Sequence, residues 1–153
     1  MEVRRINGGP ERVYTVVFAD GEDPIHGLEA FARAEGMAHG TLTAIGTLRR
    51  AVVGVCDGRR QGYDRIPVER AVDVVLLVGD IDDTAGRPEL RLRTVLGTRG
   101  GQVVAGHLLE AEVRSILEVT VSQGAPKKKP RHVPQRAGGE WLCSRAGRLS
   151  AFG

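Results

Sequence analysis

The segment that decides the fold is residues 90–109, which read LRLRTVLGTRGGQVVAGHLL. An alternating run of apolar and polar residues is followed by Gly100-Gly101, and a second apolar run then leads to Gly106-His107. Alternation with a period of two is typical of a β-strand, and a glycine pair is typical of a reversal. We therefore predict two strands joined by a turn. Arg91 and Arg93 should project from the same face of the first strand, with His107 beside them.

Size and composition limit the chain to one domain. Its 153 residues are 41% apolar, which is enough for one sizeable core and too little for a second full domain. No stretch approaches the roughly 20 apolar residues that span a bilayer, and Met1 leads into no apolar signal segment. We therefore expect a cytoplasmic location and no membrane partner. Cys56 and Cys143 lack the spacing of a disulfide framework or a zinc finger, and we predict that both are free thiols.

Positive charge is concentrated at the C-terminal end. Residues 124–153 contain seven Lys and Arg against one acid, whereas residues 1–123 contain 15 against 18. Apolar periodicity also stops at Gly124, so we predict a domain over 1–123 and a solvated basic arm over 124–153. Such an arm can bind nucleic acid through phosphates, and it can equally remain an unliganded, solvated segment. The residues predicted to bind nucleic acid are Lys127, Lys128, Lys129 and Arg131.

Local signals place one helix among many strands. The β-rich run Val13–Phe18 predicts a strand, Asp23-Pro24 predicts the start of a helix of about three turns, and Gly36 predicts its end. Gly46 and Gly106 fall inside predicted strands, where glycine permits a bulge or a close backbone approach. This pattern predicts an α+β fold with a mostly antiparallel sheet. The further extended segments are 39–48, 50–56, 71–80, 89–97, 102–109 and 113–121.

Several short motifs resemble the plants-and-prokaryotes-conserved domain family (PPC or PCC) in order and spacing, over about residues 11–122. They are Gly21-Glu22-Asp23, Ile45-Gly46-Thr47-Leu48-Arg49-Arg50-Ala51, Asp73-Val74-Val75-Leu76-Leu77-Val78-Gly79-Asp80-Ile81, Val95-Leu96-Gly97 and Gly106-His107-Leu108-Leu109. The resemblance implies an α+β domain that assembles as a homotrimer with a cleft between subunits. In plants such domains accompany a separate Arg-Gly-Arg-Pro hook that binds DNA, which the arm of this chain does not contain. The stand-alone prokaryotic members have no firmly assigned activity.

One departure from that family concerns metal binding. Many prokaryotic members carry His-x-His at the position of Arg91-Leu92-Arg93 in this chain. The resemblance implies that those two histidines, together with the histidine that matches His107, are metal ligands in such members. Guanidinium groups have no lone pair to offer, so we expect no metal and no cofactor here. Paired arginines suit carboxylate or phosphate, which makes Arg91, Arg93 and His107 a predicted anion-binding site. The alternative is a solvated face, or salt bridges between subunits to Asp73, Asp80 or Glu110, with His107 structural.

No catalytic constellation can be assembled from the sequence. Its serines lack a nucleophile-elbow context, and spacing alone defines no pair of acids. Our leading hypothesis is a DNA-binding or DNA-associated regulatory protein that acts as a homotrimer through its basic arm. The alternative hypothesis is a protein that binds a small anion, or an enzyme, with a pocket between subunits around Arg91, Arg93 and His107.

Overall fold

The computed structural model describes residues 1–6, 11–56, 62–84 and 87–124. Every strand pairing within this part of the chain is antiparallel, and the predicted α+β class is confirmed. The elements in chain order are β1 (Glu2–Arg5), β2 (Arg12–Ala19), α1 (Pro24–Ala34), β3 (His39–Cys56), β4 (Tyr63–Val68), β5 (Val72–Thr84), β6 (Arg87–Gly97) and β7 (Val103–Gln123).

The sheet closes on itself through its two longest strands. The strand order is β1-β2-β7-β6-β5-β3-β4, and β7 also pairs with β3, so β7, β6, β5 and β3 form a small closed barrel. Each of the two long strands was predicted as two shorter ones. β3 continues through the predicted break because bulges near Gly46 and Leu48 bend it without ending its pairing with β7. Closure removes the free edges that four strands would otherwise expose.

The two strands that the sequence reading missed lie at the edges of the sheet. β1 pairs only with β2, and β4 pairs only with β3. All four residues of β1 are exposed, and β4 has one buried residue, Val68, at its end. An edge strand with no buried face has no alternation of apolar and polar residues, which was the signal used to find the others.

Inward-facing apolar side chains of the barrel and of α1 form the core. Leu77, Leu96 and Leu117 are almost fully buried, and α1 adds Leu28 and Phe31. Burying a leucine side chain of this kind stabilises the fold by about 1.5–3 kcal/mol. Outward-facing residues of the same strands are therefore free for other roles, because successive side chains of a strand point to opposite faces.

The helix begins and ends where the sequence predicts. Asp23 caps it, since its Oδ1 accepts the backbone N–H groups of Ile25 at 2.9 Å and His26 at 3.1 Å. Pro24 is the first helical residue, and Gly36 follows the C-terminus with a φ of +58°. Within the described part of the chain no helix is long and apolar enough to cross a membrane.

Two glycines allow backbones to approach closely, as the sequence predicts. A Cβ on Gly106 would lie 2.5 Å from the carbonyl oxygen of Gly54, so only glycine lets β7 reach β3 at this point. Gly46 has a φ of +148°, and a Cβ there would collide with the carbonyl oxygen of Ile116. The Gly106–Gly54 approach matters for the surface that follows, because the next residue of β7 is His107.

Cys56 corrects one expectation. It is the last residue of β3 and it is disulfide-bonded, so the prediction of a free thiol is wrong for this residue. The spacing of cysteines along a chain shows which are neighbours in sequence, whereas bonding depends on which meet in the fold. Cys143 lies outside the described residues.

Candidate functional site

The outer face of the barrel brings together the three residues predicted to bind an anion. Direct cross-strand partners point to the same side of a sheet. Arg93 of β6 lies opposite Val78 of β5 on one side and opposite His107 of β7 on the other. Arg91 is two residues along the same face. The buried residues Leu92 and Thr94 alternate with these arginines and point into the barrel.

Arg91 belongs to a group that we call the Asp82 cluster: His39, Asp82 and Arg91. The Arg91 guanidinium forms an ion pair with the Asp82 carboxylate, and Nδ1 of His39 lies 3.2 Å from the other Asp82 oxygen. The charge of Arg91 is thus compensated within its own chain. The residues considered from sequence as partners were Asp73, Asp80 and Glu110. Asp82 was not among them because β5 was predicted to end at Asp80, whereas it continues to Thr84.

The Asp82 cluster forms part of the wall of an open pocket of about 280 Å³. The pocket is acidic, since Glu11, Asp80 and Asp82 line it against one arginine, Arg91. Gly124, the last described residue, also lines it. The chain therefore enters its predicted basic arm beside a group of carboxylates. The predicted nucleic-acid-binding residues Lys127, Lys128, Lys129 and Arg131 lie outside the described residues.

Arg93 belongs to a second group, the Arg93 cluster: Tyr63, Arg93 and His107. Among the described residues no carboxylate lies within 4 Å of the Arg93 guanidinium. The ring of Tyr63 packs on the ring of His107, with centroids 5.0 Å apart and planes tilted by 52°. Tyr63 was not identified from the sequence, because it begins the edge strand β4, which gives no alternation signal.

Burial and charge act together on the titrating groups of the Arg93 cluster. Burial lowers the pKa of His107 below its ordinary 6.5, and the neighbouring Arg93 charge lowers it further. His107 is therefore neutral at pH 7, with one N–H donor and one acceptor nitrogen. Burial also raises the pKa of Tyr63 above its ordinary 10.0, partly offset by Arg93, so its hydroxyl keeps its proton. The cluster carries one positive charge, on Arg93, and His107 adds a neutral donor.

The residues at this position do not fit a metal ion. His107 offers one imidazole nitrogen, but Arg91 and Arg93 offer only N–H donors, and Arg91 already pairs with Asp82. In the ranges that the structure describes, no three His, Cys, Asp or Glu residues come together as a metal centre would require. The chemistry available on this face is hydrogen bonding and charge attraction toward an anion.

Comparisons with known proteins place the fold. A model of the Plants and Prokaryotes Conserved (PCC) domain matches residues 5–124. No curated protein matches the chain significantly. A plant- and prokaryote-conserved protein from Pyrococcus horikoshii is 26% identical, with a TM-score of 0.70 over 77% of this chain and 84% of its own. A metal-containing protein from Archaeoglobus fulgidus is 25% identical, with a TM-score of 0.69 over 80% of this chain and 84% of its own.

A third similar structure is described with a function. A protein from Ralstonia eutropha JMP134, described as a candidate DNA-binding protein, is 28% identical to this chain. The two superpose with a TM-score of 0.67 over 73% of this chain and 78% of that one. All three structures share the fold of this chain.

Proposed function

Because the chain belongs to the Plants and Prokaryotes Conserved domain family, we propose that it associates with duplex DNA as a homotrimer, through its basic C-terminal arm. The observation that carries the proposal is the division of charge. Residues 124–153 hold seven Lys and Arg against one acid, on a body with an excess of acids. Lys127, Lys128, Lys129 and Arg131 would neutralise phosphates and release counterions. The description of the Ralstonia eutropha relative supports the same class of partner.

The surface around Gly124, where the arm begins, favours DNA contacts by the arm over DNA contacts by residues 1–123. Gly124 shares a pocket with Glu11, Asp80 and Asp82. Carboxylates repel the phosphate backbone, so duplex DNA is disfavoured at this part of the barrel. The basic residues beyond Gly124 then supply the contacts. Binding of this kind depends on phosphates and has no preference for sequence.

Exposed apolar side chains support the homotrimer. Val75 of β5 is 62% exposed and Val103 of β7 is 64% exposed, and both lie beside Gly97 of β6. Ile45 of β3 is 68% exposed. Exposed apolar residues on three strands of one barrel are typical of a surface that another chain covers. Sedimentation should therefore give a mass of about three times the 16.4 kDa of one chain. Three arms on one assembly would add avidity for a long duplex.

A salt titration tests the DNA proposal. The affinity of the full chain for duplex DNA should fall as a power of the salt concentration, because each neutralised phosphate contributes about −0.9 to the logarithmic slope. A full-length variant in which four arm cations become glutamine should bind weakly and lose most of that slope. Its substitutions are Lys127→Gln, Lys128→Gln, Lys129→Gln and Arg131→Gln.

A matched control removes the same charge from the body. It replaces four exposed arginines that make no ion pair within the described residues, namely Arg4→Gln, Arg5→Gln, Arg70→Gln and Arg99→Gln. This control should keep the salt slope of the unmodified chain. The proposal is wrong if the full chain fails to bind duplex DNA at low salt, or if the two variants lose affinity equally.

A second function, the binding of a small anion, is favoured by one specific observation. Arg93 lies opposite neutral His107, and no described carboxylate lies within 4 Å of its guanidinium. A guanidinium in this setting binds an anion through charge-assisted hydrogen bonds. This function is independent of the arm, so the four arm substitutions should leave it unchanged.

A further inference from the structure

We propose that the Arg93 cluster binds a monocarboxylate with an apolar body, held by Arg93 and by His107, whose ring packs on Tyr63, and that Arg91 takes no part. The proposal rests on the second function above and names its class of ligand. It also assigns different roles to Arg91 and Arg93, which the sequence predicts to bind an anion together. Four features of the described residues carry it: the charge of the cluster, its donors, the apolar surface beside it and the partner of Arg91.

The charge of the cluster matches a monoanion. Arg93 contributes one positive charge, whereas His107 and Tyr63 are both neutral at pH 7. A carboxylate compensates this charge fully. A phosphate dianion would bring one negative charge more than the cluster can compensate, and part of its desolvation would go unrecovered. A ligand with a single negative charge is therefore favoured over phosphate.

The donors suit the geometry of a carboxylate. A guanidinium offers two parallel N–H groups that match the two oxygens of one carboxylate. One N–H of neutral His107, which lies opposite Arg93, adds a donor on the same face. The contact between the two rings, with centroids 5.0 Å apart, holds both side chains beside the guanidinium. The three residues come from β4, β6 and β7, whose pairings fix their positions relative to one another.

The surface next to Arg93 is apolar. Val78 lies directly opposite Arg93, and Val95 is two residues along the same face of β6. Leu76, opposite Val95, is 47% exposed, and Ala105 completes the row. A ligand whose carboxylate sits at Arg93 would therefore lay its remaining atoms against valine, leucine and alanine side chains. Burial of apolar surface would favour an aromatic or aliphatic body over a short or polar one.

The Arg91 guanidinium already has an ion-pair partner. It pairs with the Asp82 carboxylate, and Nδ1 of His39 lies 3.2 Å from the other oxygen of that carboxylate. Aspartates at 80 and 82 line the pocket on its side of the strand. An anion placed at Arg91 would lie among carboxylates, which repel it. The apolar side of the strand face and the acidic side thus meet between Arg93 and Arg91.

The test is a titration of the full-length chain at pH 7 with benzoate, acetate and inorganic phosphate, followed by NMR and by calorimetry. Benzoate should bind about ten-fold more tightly than acetate, because burying even ~60 Å² of its ring accounts for that factor. Phosphate should bind more weakly than benzoate. The resonances of Tyr63 and His107 should shift on addition of benzoate, and those of His39 should not.

Variants assign the binding to the cluster. Arg93→Gln should weaken benzoate by about ten-fold or more, the usual effect of losing a charged hydrogen bond. Tyr63→Ala, which removes the ring that packs on His107, should weaken it by about two- to ten-fold. Arg91→Gln is the matched control, since it removes an arginine from the same strand and face, and it should stay within about two-fold. Arg93→Lys keeps the charge without the two parallel donors and should give an intermediate affinity, even if Arg93→Gln does not fold.

The outcomes separate this inference from the function on which it rests. If none of the three anions shifts the resonances of the cluster, both the anion function and the carboxylate are wrong. If phosphate binds there as tightly as benzoate, the anion function stands and the monocarboxylate is wrong. If Arg93→Gln changes the sedimentation mass, Arg93 pairs with an acid of another subunit, and both are overturned.

Discussion

Arg91 and Arg93 stand two residues apart on one face of one strand, yet their surroundings are opposite. Arg91 pairs with Asp82 at the rim of an acidic pocket. Arg93 faces two neutral rings and an apolar row. Their histidine neighbours differ in the same way, since His39 contacts a carboxylate and His107 lies beside a guanidinium. The comparison teaches that strand spacing decides which side chains share a face, whereas cross-strand register decides what each of them meets.

The largest expected effect comes from a substitution that forces apart the two strands beside the Arg93 cluster. Gly106→Ala would place a Cβ 2.5 Å from the carbonyl oxygen of Gly54. The strands β3 and β7 would have to separate, so we expect a loss of about 2–3 kcal/mol in the free energy of unfolding. Urea denaturation measures it. Gly100→Ala is the control, because nothing lies within 4 Å of its Cβ, and it should change stability by less than about 0.5 kcal/mol. Equal losses in the two variants would show that the close approach is not what Gly106 provides.

A smaller effect is expected when Arg91 loses the carboxylate that compensates its charge. Asp82→Asn would break the ion pair to Arg91 and weaken the contact to His39, both of them partly exposed. Exposed ion pairs contribute about 0–1 kcal/mol each, so the loss of stability should stay below about 1 kcal/mol. Asp80 and Glu11 still line the pocket beside Arg91 in this variant, so NMR should show no second benzoate site there, and the affinity at the Arg93 cluster should be unchanged. If the affinity at the Arg93 cluster changes, the two clusters are not independent.

The smallest expected effect is on the titration of two histidines. The His107 pKa lies below its ordinary 6.5, mainly through burial, and Arg93→Gln should move it part of the way back. The His26 pKa lies above 6.5, mainly because of its hydrogen bond to Asp23, and it should not respond to Arg93→Gln. Proton NMR of the imidazole resonances measures both. An unchanged His107 pKa in Arg93→Gln would mean that the guanidinium does not act on the ring.

These shifts have opposite consequences for stability. As pH falls below 6.5, His107 takes up a proton in the unfolded chain before it does so in the folded one, so its contribution to stability decreases. His26 stabilises the fold below 6.5, and this contribution is lost as pH rises through its raised pKa. His107→Gln should therefore reduce the loss of stability on acidification, and His26→Gln should increase it.

The sequence determined the features that depend on residues close together in the chain. Asp23, Pro24 and Gly36 bound the helix because capping and left-handed closure involve only the adjacent backbone. Gly100-Gly101 predicted the turn between β6 and β7 for the same reason, and the period of two predicted that Arg91 and Arg93 share a face. The charge of the arm is likewise a property of composition.

Only the tertiary structure decided the contacts between distant segments. Closure of the barrel by β3 and β7, the pairing of Arg91 with Asp82 and the arrival of Tyr63 beside His107 all join residues more than eight positions apart. They depend on where bulges shift the register and, for Tyr63, on the edge strand β4, whose one buried residue is Val68. Such choices are made by the packing of the whole barrel, because a single step in register moves every side chain of a strand to the other face.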